Sequence, residues 1–174
     1  FDLSLLYESI APVICSDFCE PVLHMQTKIR LGNIKARIRM LALYDLAAKH
    51  AGIVLSTDNL TEYYLGFWTL HGDHADYGMI QNLWKTEVYE LAGHLVQDFI
   101  KSGDEKRARA LQMAIDAVPT DGLGITSSDC EQFGVETYAE VDSILQQWIR
   151  ASKDPDGNHD QLEILKSNPV VMRH

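Results

Sequence analysis

Glu62, Lys85 and Arg37 are the side chains in this sequence best suited to handling an anionic substrate. Glu62 lies off the apolar stripe of its segment. A carboxylate there can hold a divalent cation such as Mg²⁺, which is often bound by one or two carboxylates plus substrate phosphates; a surface glutamate is the ordinary alternative. Lys85 precedes a helix that begins near Thr86. A cation at the positive end of a helix dipole is unfavourable by roughly a few tenths of a kcal/mol. An anion lodged between the helix start and Lys85, phosphate above all, removes that penalty; a solvated lysine is the alternative. Arg37 shares a helix with Asn33, Lys35 and Arg39, with 33 and 37 on one face and 35 and 39 on another. Guanidinium suits bidentate recognition of carboxylate or phosphate, although such a cluster also reads as a solvated face.

Other constellations are weaker. The loop His71-Gly72-Asp73-His74-Ala75-Asp76 is rich in metal-ligating types, but it lacks the helical H-E-x-x-H spacing and has no cysteines nearby. Cys15-x-x-x-Cys19 stands alone and reads as two buried thiols. There is no G-x-S-x-G elbow and no visible Cys/His pairing, which disfavours covalent catalysis and leaves ligand positioning and charge stabilisation.

The elements that must position these groups are legible from periodicity. Gly52-Ile53-Val54-Leu55 is an apolar run with β-branched centres, the pattern of a strand covered on both faces. Ser56-Thr57-Asp58-Asn59 follows with side chains suited to a helix N-cap. Thr57 thus lies just past the strand's carboxyl end, where ligands bind in open α/β sheets. Leu60, Tyr63, Tyr64, Phe67 and Trp68 recur on one helix face. Met79-Ile80 reads as a second short strand. Helices are expected before Cys19, over Gln26 to His50, Thr86 to Ile100, Asp104 to Ala117, Val135 to Ala151 and Gln161 to Lys166. Phe1-Asp2-Leu3 is strand-like, Thr120 to Cys130 reads as an ordered loop, and Lys153 to His159 as a polar turn. Strands alternating with helices imply an α/β fold.

The 174 residues and 46% apolar content suffice for one well-cored domain, read here as spanning 1–174. A net charge of -10 argues against a nucleic-acid surface, while leaving room for a small anionic ligand held by local basic groups. No apolar run approaches the roughly 20 residues that cross a bilayer, so no membrane partner is expected. Three cysteines without a disulfide framework favour a reducing compartment.

Several ordered motifs carry a family resemblance. Gly32-Asn33-Ile34-Lys35-Ala36-Arg37-Ile38-Arg39-Met40 is followed by Ser56-Thr57-Asp58, Glu62, Gly66-Phe67 and Gly72-Asp73. Leu83-Trp84-Lys85-Thr86-Glu87-Val88, Pro119-Thr120 and the acidic stretch Asp129 to Asp142 continue the series. This run resembles NAD⁺ synthetase, over about Phe1 to Asp142. The resemblance implies a parallel sheet flanked by helices in an adenine-nucleotide alpha-hydrolase-like (Rossmann-like) fold of the ATP pyrophosphatase class. It further implies an ammonia-dependent ligase that adenylates deamido-NAD (nicotinic acid adenine dinucleotide) with ATP and then admits ammonia. Thr57, Lys85 and Thr120 would contact ATP, and Glu62 would be a Mg²⁺ ligand. Arg37, Asp76 and His174 would contact deamido-NAD. A homodimer in the cytoplasm, without a visible glutaminase domain, completes the expectation.

Two departures from the family pattern qualify it. The Ser-Gly-Gly-x-Asp-Ser pyrophosphate loop and a second Mg²⁺-binding aspartate are absent and belong N-terminal to Phe1, so the chain is read as the C-terminal two-thirds of the family's domain, incomplete at its N-terminus. A lysine that commonly contacts deamido-NAD is replaced by Leu70, and the loop before Asp76 is one residue shorter. A related ATP pyrophosphatase acting on another acceptor, or a non-catalytic dimeric module without the phosphate loop, are the alternatives.

Overall fold

A 25-residue helix, α2 (Met25–Lys49), organises the first part of the chain, and its basic outer face leaves Leu31, Ile34 and Ile38 to be buried. The computed structural model describes residues 2–19, 24–122 and 126–153. The chain forms two compact units, one of residues 1–58, 67–81 and 120–127, the other of 59–66, 82–119 and 128–174.

In the first unit α1 (Ser4–Ile14) packs on α2. Ala11 and Cys15 meet Leu31, Ile34 and Ile38, with Leu3, Tyr7, Ile10 and Phe18 closing the cluster. Phe18 lies in a short 3-10 turn and meets Tyr7 edge-on, ring centres 6.0 Å apart. Leu3 precedes α1 and forms no strand, so the strand-like start is not realised at the described residues 2 and 3. After α2 come two short parallel strands, β1 (Leu55–Ser56) and β2 (Tyr77–Gly78), with Leu55 opposite Tyr77 and Ser56 opposite Gly78. Both differ from expectation. β2 falls two residues before Met79-Ile80, and β1 is not covered on both faces: Val54 and Ser56 are buried, while Ile53 and Leu55 are 64% and 51% exposed. Alternate side chains point to opposite faces of a strand, and only one face has cover among the described residues.

The second unit is helical: α3 (Leu60–Leu65), α4 (Lys85–Lys101), α5 (Glu105–Asp116), α6 (Asp129–Phe133) and α7 (Tyr138–Lys153). Leu65, Phe133, Val141 and Leu145 are fully buried. α4 and α5 form a hairpin turned at Gly103, whose φ of 80° favours glycine, and Asp104 caps α5 through Arg107 N. α7 packs on α3 and α4. α3 ends sooner than its apolar stripe suggests. Gly66, at φ 64°, closes it in the left-handed conformation, so Phe67 and Trp68 lie beyond the helix. Lys153, the expected start of the polar turn, instead ends α7; the rest of that turn and the Gln161 to Lys166 helix lie outside the described residues, as does the side chain of Cys19. No described helix is long and apolar enough to cross a membrane.

Candidate functional site

Local sequence sets the start of α3. Asn59 accepts the Glu62 N–H, and Glu62 Oε2 accepts the Asn59 N–H, both at 3.1 Å, which makes a reciprocal cap. Glu62 is thereby fixed in the first turn, with Oε1 turned outward to Lys85 Nζ at 2.8 Å. Both side chains are mostly buried, at 17% and 20% exposure. Lys85 Nζ also lies 5.3 Å from the centre of the Tyr138 ring, a favourable cation–π position.

Lys85 is the first residue of α4, preceded by Trp84, which gives no side-chain cap. The Trp84 N–H is taken by Glu87 Oε2 at 2.8 Å. The next two N–H groups are satisfied from other helices: Lys85 N donates to Thr61 Oγ1 at 2.8 Å, and Thr86 N to Asp142 Oδ2 at 2.9 Å. Asp142 is 2% exposed, and its two oxygens also accept the Thr61 and Thr86 hydroxyls. An internal carboxylate, that of Asp142, therefore caps this helix start through Thr86, separate from the external anion that the sequence led us to expect beside the Lys85 ammonium. Beside it, Tyr138 donates its hydroxyl to Asp129 Oδ2 at 2.9 Å. Burial first, and then the Asp129 carboxylate, push the Tyr138 phenol well above its usual range. Burial, with Asp129 and Glu140, likewise raises the Cys130 thiol.

The first unit carries a different arrangement. Residues 67–76 are strapped to α2: Thr69 Oγ1 donates to Asn33 Oδ1 at 2.7 Å, and Arg37 Nε to the Leu70 carbonyl at 3.2 Å. Asp73 Oδ2 closes the loop on Thr69 N at 2.6 Å. Gly72 is needed here because a Cβ would come within 2.8 Å of Thr69 Cγ2 and 2.9 Å of Ala36 Cβ. Asp76 accepts Val54 N at 2.9 Å and, more weakly, the Tyr44 hydroxyl at 3.4 Å. A cavity of about 220 Å³ is lined by Arg39, Tyr44, Thr57, Asp58, Asp73 and His74, among others. Trp68 stacks at a tilt on His74, 4.4 Å between ring centres, and His74 Nδ1 is 3.5 Å from Asp58 Oδ2.

The sequence-derived residues thus fall into groups. Glu62 and Lys85 form a direct pair in the second unit. Arg37, Thr57, Asp76 and Thr120 belong to the first, where Thr57 and Thr120 are exposed. Thr57 lines the cavity, Arg37 reaches the loop at Leu70, and Asp76 holds β1 toward α2. His174 lies outside the described residues. Sequence reasoning overlooked Thr61, Asp142 and Tyr138 as polar partners. The available signal was an acid inside an apolar stripe, since Asp142 stands between Val141 and Leu145 on α7.

The model of the NAD synthase family matches residues 6–172. The chain belongs to that family. The NH(3)-dependent NAD(+) synthetase of Mannheimia succiniciproducens is 34% identical over 143 residues, 82% of this chain and 49% of the relative. Those of Thermoplasma acidophilum and Methanocaldococcus jannaschii are 35% and 37% identical, covering 82% and 79% of this chain and 54% and 48% of theirs. The chain spans about half the length of the curated relatives it matches. Among solved structures, the NMN synthetase of Francisella tularensis superposes with TM-score 0.66 at 27% identity, over 99% of this chain and 60% of that one. The NH3-dependent NAD synthetase of Campylobacter jejuni gives 0.50 at 22%, over 97% and 58%, a likeness of fold. The α/β architecture is therefore that of the NAD synthase family, helix-rich with a small parallel sheet of β1 and β2 among the described residues.

Proposed function

We propose that the protein carrying this chain is an ammonia-dependent NAD⁺ synthetase, a C–N ligase. ATP adenylates the pyridine carboxylate of deamido-NAD and releases pyrophosphate; ammonia then displaces AMP to give NAD. The observation that carries this reading is the Glu62–Lys85 pair, an acid and a base at family motif positions, held 2.8 Å apart and largely out of water. Family membership and relatives near 35% identity support it from outside the structure.

Glu62 Oε1 is met by the Lys85 ammonium alone, and no group of three or more metal-ligating side chains gathers among the described residues. That donor set fits Mg²⁺ completed by phosphates and water, not a closed protein cage. Bound there, the ion supplies positive charge to the departing pyrophosphate. In this reading Lys85 binds the ATP phosphates, and Thr57 and Thr120 are assigned to ATP by the family resemblance. Arg37 commits Nε to Leu70 and offers the rest of its guanidinium to deamido-NAD. Asp76 meets that substrate with lone pairs not used by Val54 and Tyr44, and His174 completes the set. A homodimer and a cytoplasmic location belong to the same reading.

Incubation of the full protein with deamido-NAD, Mg-ATP and ammonium should give NAD and AMP in equal amounts. ADP as the product, or no turnover, overturns the proposal. Pyrophosphate release with another acid and none with deamido-NAD moves the reading to a different acceptor. Leu70 makes that arm worth running, and the likeness to a protein described as an NMN synthetase makes a mononucleotide acid the first compound to try. Sedimentation of the same preparation tests the dimer.

A further inference from the structure

Lys85 is gripped at both ends by the same two helices. Its backbone N–H is bonded by Thr61 of α3, and the adjoining Thr86 N–H by Asp142 of α7. Its ammonium is met by Glu62 of α3 and by the ring of Tyr138, one turn before Asp142 on α7. We propose that Asp142, acting through Thr61 and the first turn of α4, is a positioning residue that presets the Lys85 ammonium for the nucleotide phosphates. The inference rests on the reading above, in which Lys85 meets ATP.

Three features single out Asp142. First, its carboxylate accepts three hydrogen bonds, from Thr61 Oγ1, Thr86 N and Thr86 Oγ1, while only 2% exposed. A buried charge is tolerated only with such satisfaction. Second, the bonds have a fixed polarity. The Thr61 hydroxyl gives its single proton to Asp142, so its oxygen is left to accept from Lys85 N. Were residue 142 an amide, one oxygen would accept where two do now, and its NH₂ would face donors. Third, the cap is imported. Most helices take an N-cap from the preceding residue, but Trp84 supplies none and the cap comes from a position 56 residues later. The first turn of α4 therefore cannot shift or fray without disturbing α3 and α7, and Lys85 is the residue at that turn. The carboxylate also lies at the helix end where negative charge is favourable, so the helix start is already neutralised. The Lys85 ammonium remains as the cation that can change partners when an anion arrives, leaving Glu62 for it.

A double-mutant cycle on ATP binding by the full protein tests this, with Mg-ATP titrated by calorimetry against Asp142→Asn, Lys85→Ala and the double variant. Asp142→Asn is expected to weaken ATP binding on the order of tenfold, and to add nothing once Lys85 is already alanine. The KM for deamido-NAD should stay within about twofold, a split that general loosening of the fold would not give. Thr61→Val should reproduce the ATP effect and Thr61→Ser should restore it, because serine keeps the hydroxyl; this pair serves equally if Asp142→Asn does not fold. Equal losses in the Lys85 and Lys85→Ala backgrounds, or unchanged ATP affinity in Asp142→Asn and Thr61→Val, overturn the proposal. Absence of ATP binding by the unsubstituted protein instead overturns the functional reading on which it stands, before any variant is compared.

Discussion

The charge on Glu62 does two jobs through two oxygens, and a single substitution separates them. Oε2 completes the cap of α3 and Oε1 faces Lys85. Glutamine can keep an acceptor at the cap but loses the charge that a magnesium ion needs. Glu62→Gln is therefore expected to lower Mg²⁺-dependent turnover roughly tenfold or more, while thermal unfolding moves by only a few degrees. Equal losses of melting temperature and activity, measured on one preparation, would make the residue structural. Lys85→Ala should raise the ATP concentration needed for half-maximal rate, and an unchanged ATP dependence would leave Lys85 a structural partner of Glu62 and Tyr138. Gly72 tests the other unit. A methyl group there collides with Thr69 Cγ2 and Ala36 Cβ, neither of which is the end of a flexible chain. Gly72→Ala should cost about 1–3 kcal/mol, the usual range for overpacking, read from denaturant midpoints. Loss of the strap would also release Arg37 from Leu70.

At the scale of elements, α7 shows why some features were readable and others were not. Its apolar face, with Tyr138, Val141 and Leu145 buried, announces a helix by period alone. The expected spans of α2, α4 and α5 likewise agree with the structure to within about two residues. What period cannot reveal is a partner far along the chain. Asp142 was visible only as the end of the acidic stretch from Asp129, because Thr61 and Thr86, its donors, are 81 and 56 residues away. β1 failed for a related reason: an apolar run says nothing about which faces the rest of the chain covers. α3 failed at Gly66, where one left-handed residue outweighs two aromatic positions of the pattern. Of the candidate site, the Glu62–Lys85 pair was legible only as two motif residues, and their contact needed the fold. Tyr138 gives this scale its own test. Its folded phenol holds its proton above the unfolded value near 10. A raised folded pKa contributes stability that is fully present below about pH 10 and is lost as pH rises beyond it. Between pH 9 and 11 the melting temperature of the unsubstituted protein should therefore fall more steeply than that of Tyr138→Phe. Parallel curves would show that the phenol does not govern alkaline stability.

For the molecule as a whole, the distribution of apolar surface matters more than its amount. Parallel strands are ordinarily covered on both faces, yet Ile53, Leu55, Tyr77 and Met79 are each more than half exposed around β1 and β2. Unpaired strand edges beside apolar side chains are templates for association. A net charge of -10 opposes that association at low ionic strength, and salt screens the opposition, with a Debye length near 10 Å at 0.1 M. The 174-residue chain prepared by itself should therefore bind a hydrophobic dye such as ANS and self-associate more as salt is raised. Ile53→Thr together with Met79→Thr should reduce both signals, because those side chains are exposed and their loss opens no cavity. Helical content by circular dichroism should remain, since Phe133, Val141 and Leu145 are fully buried within the helical second unit and neither substituted residue belongs to it. If dye binding and association are unaffected by the two substitutions, the exposed face of β1 and β2 is not the source of the chain's stickiness. If helicity falls with them, the substitutions act on folding and not on the exposed face of the strands alone.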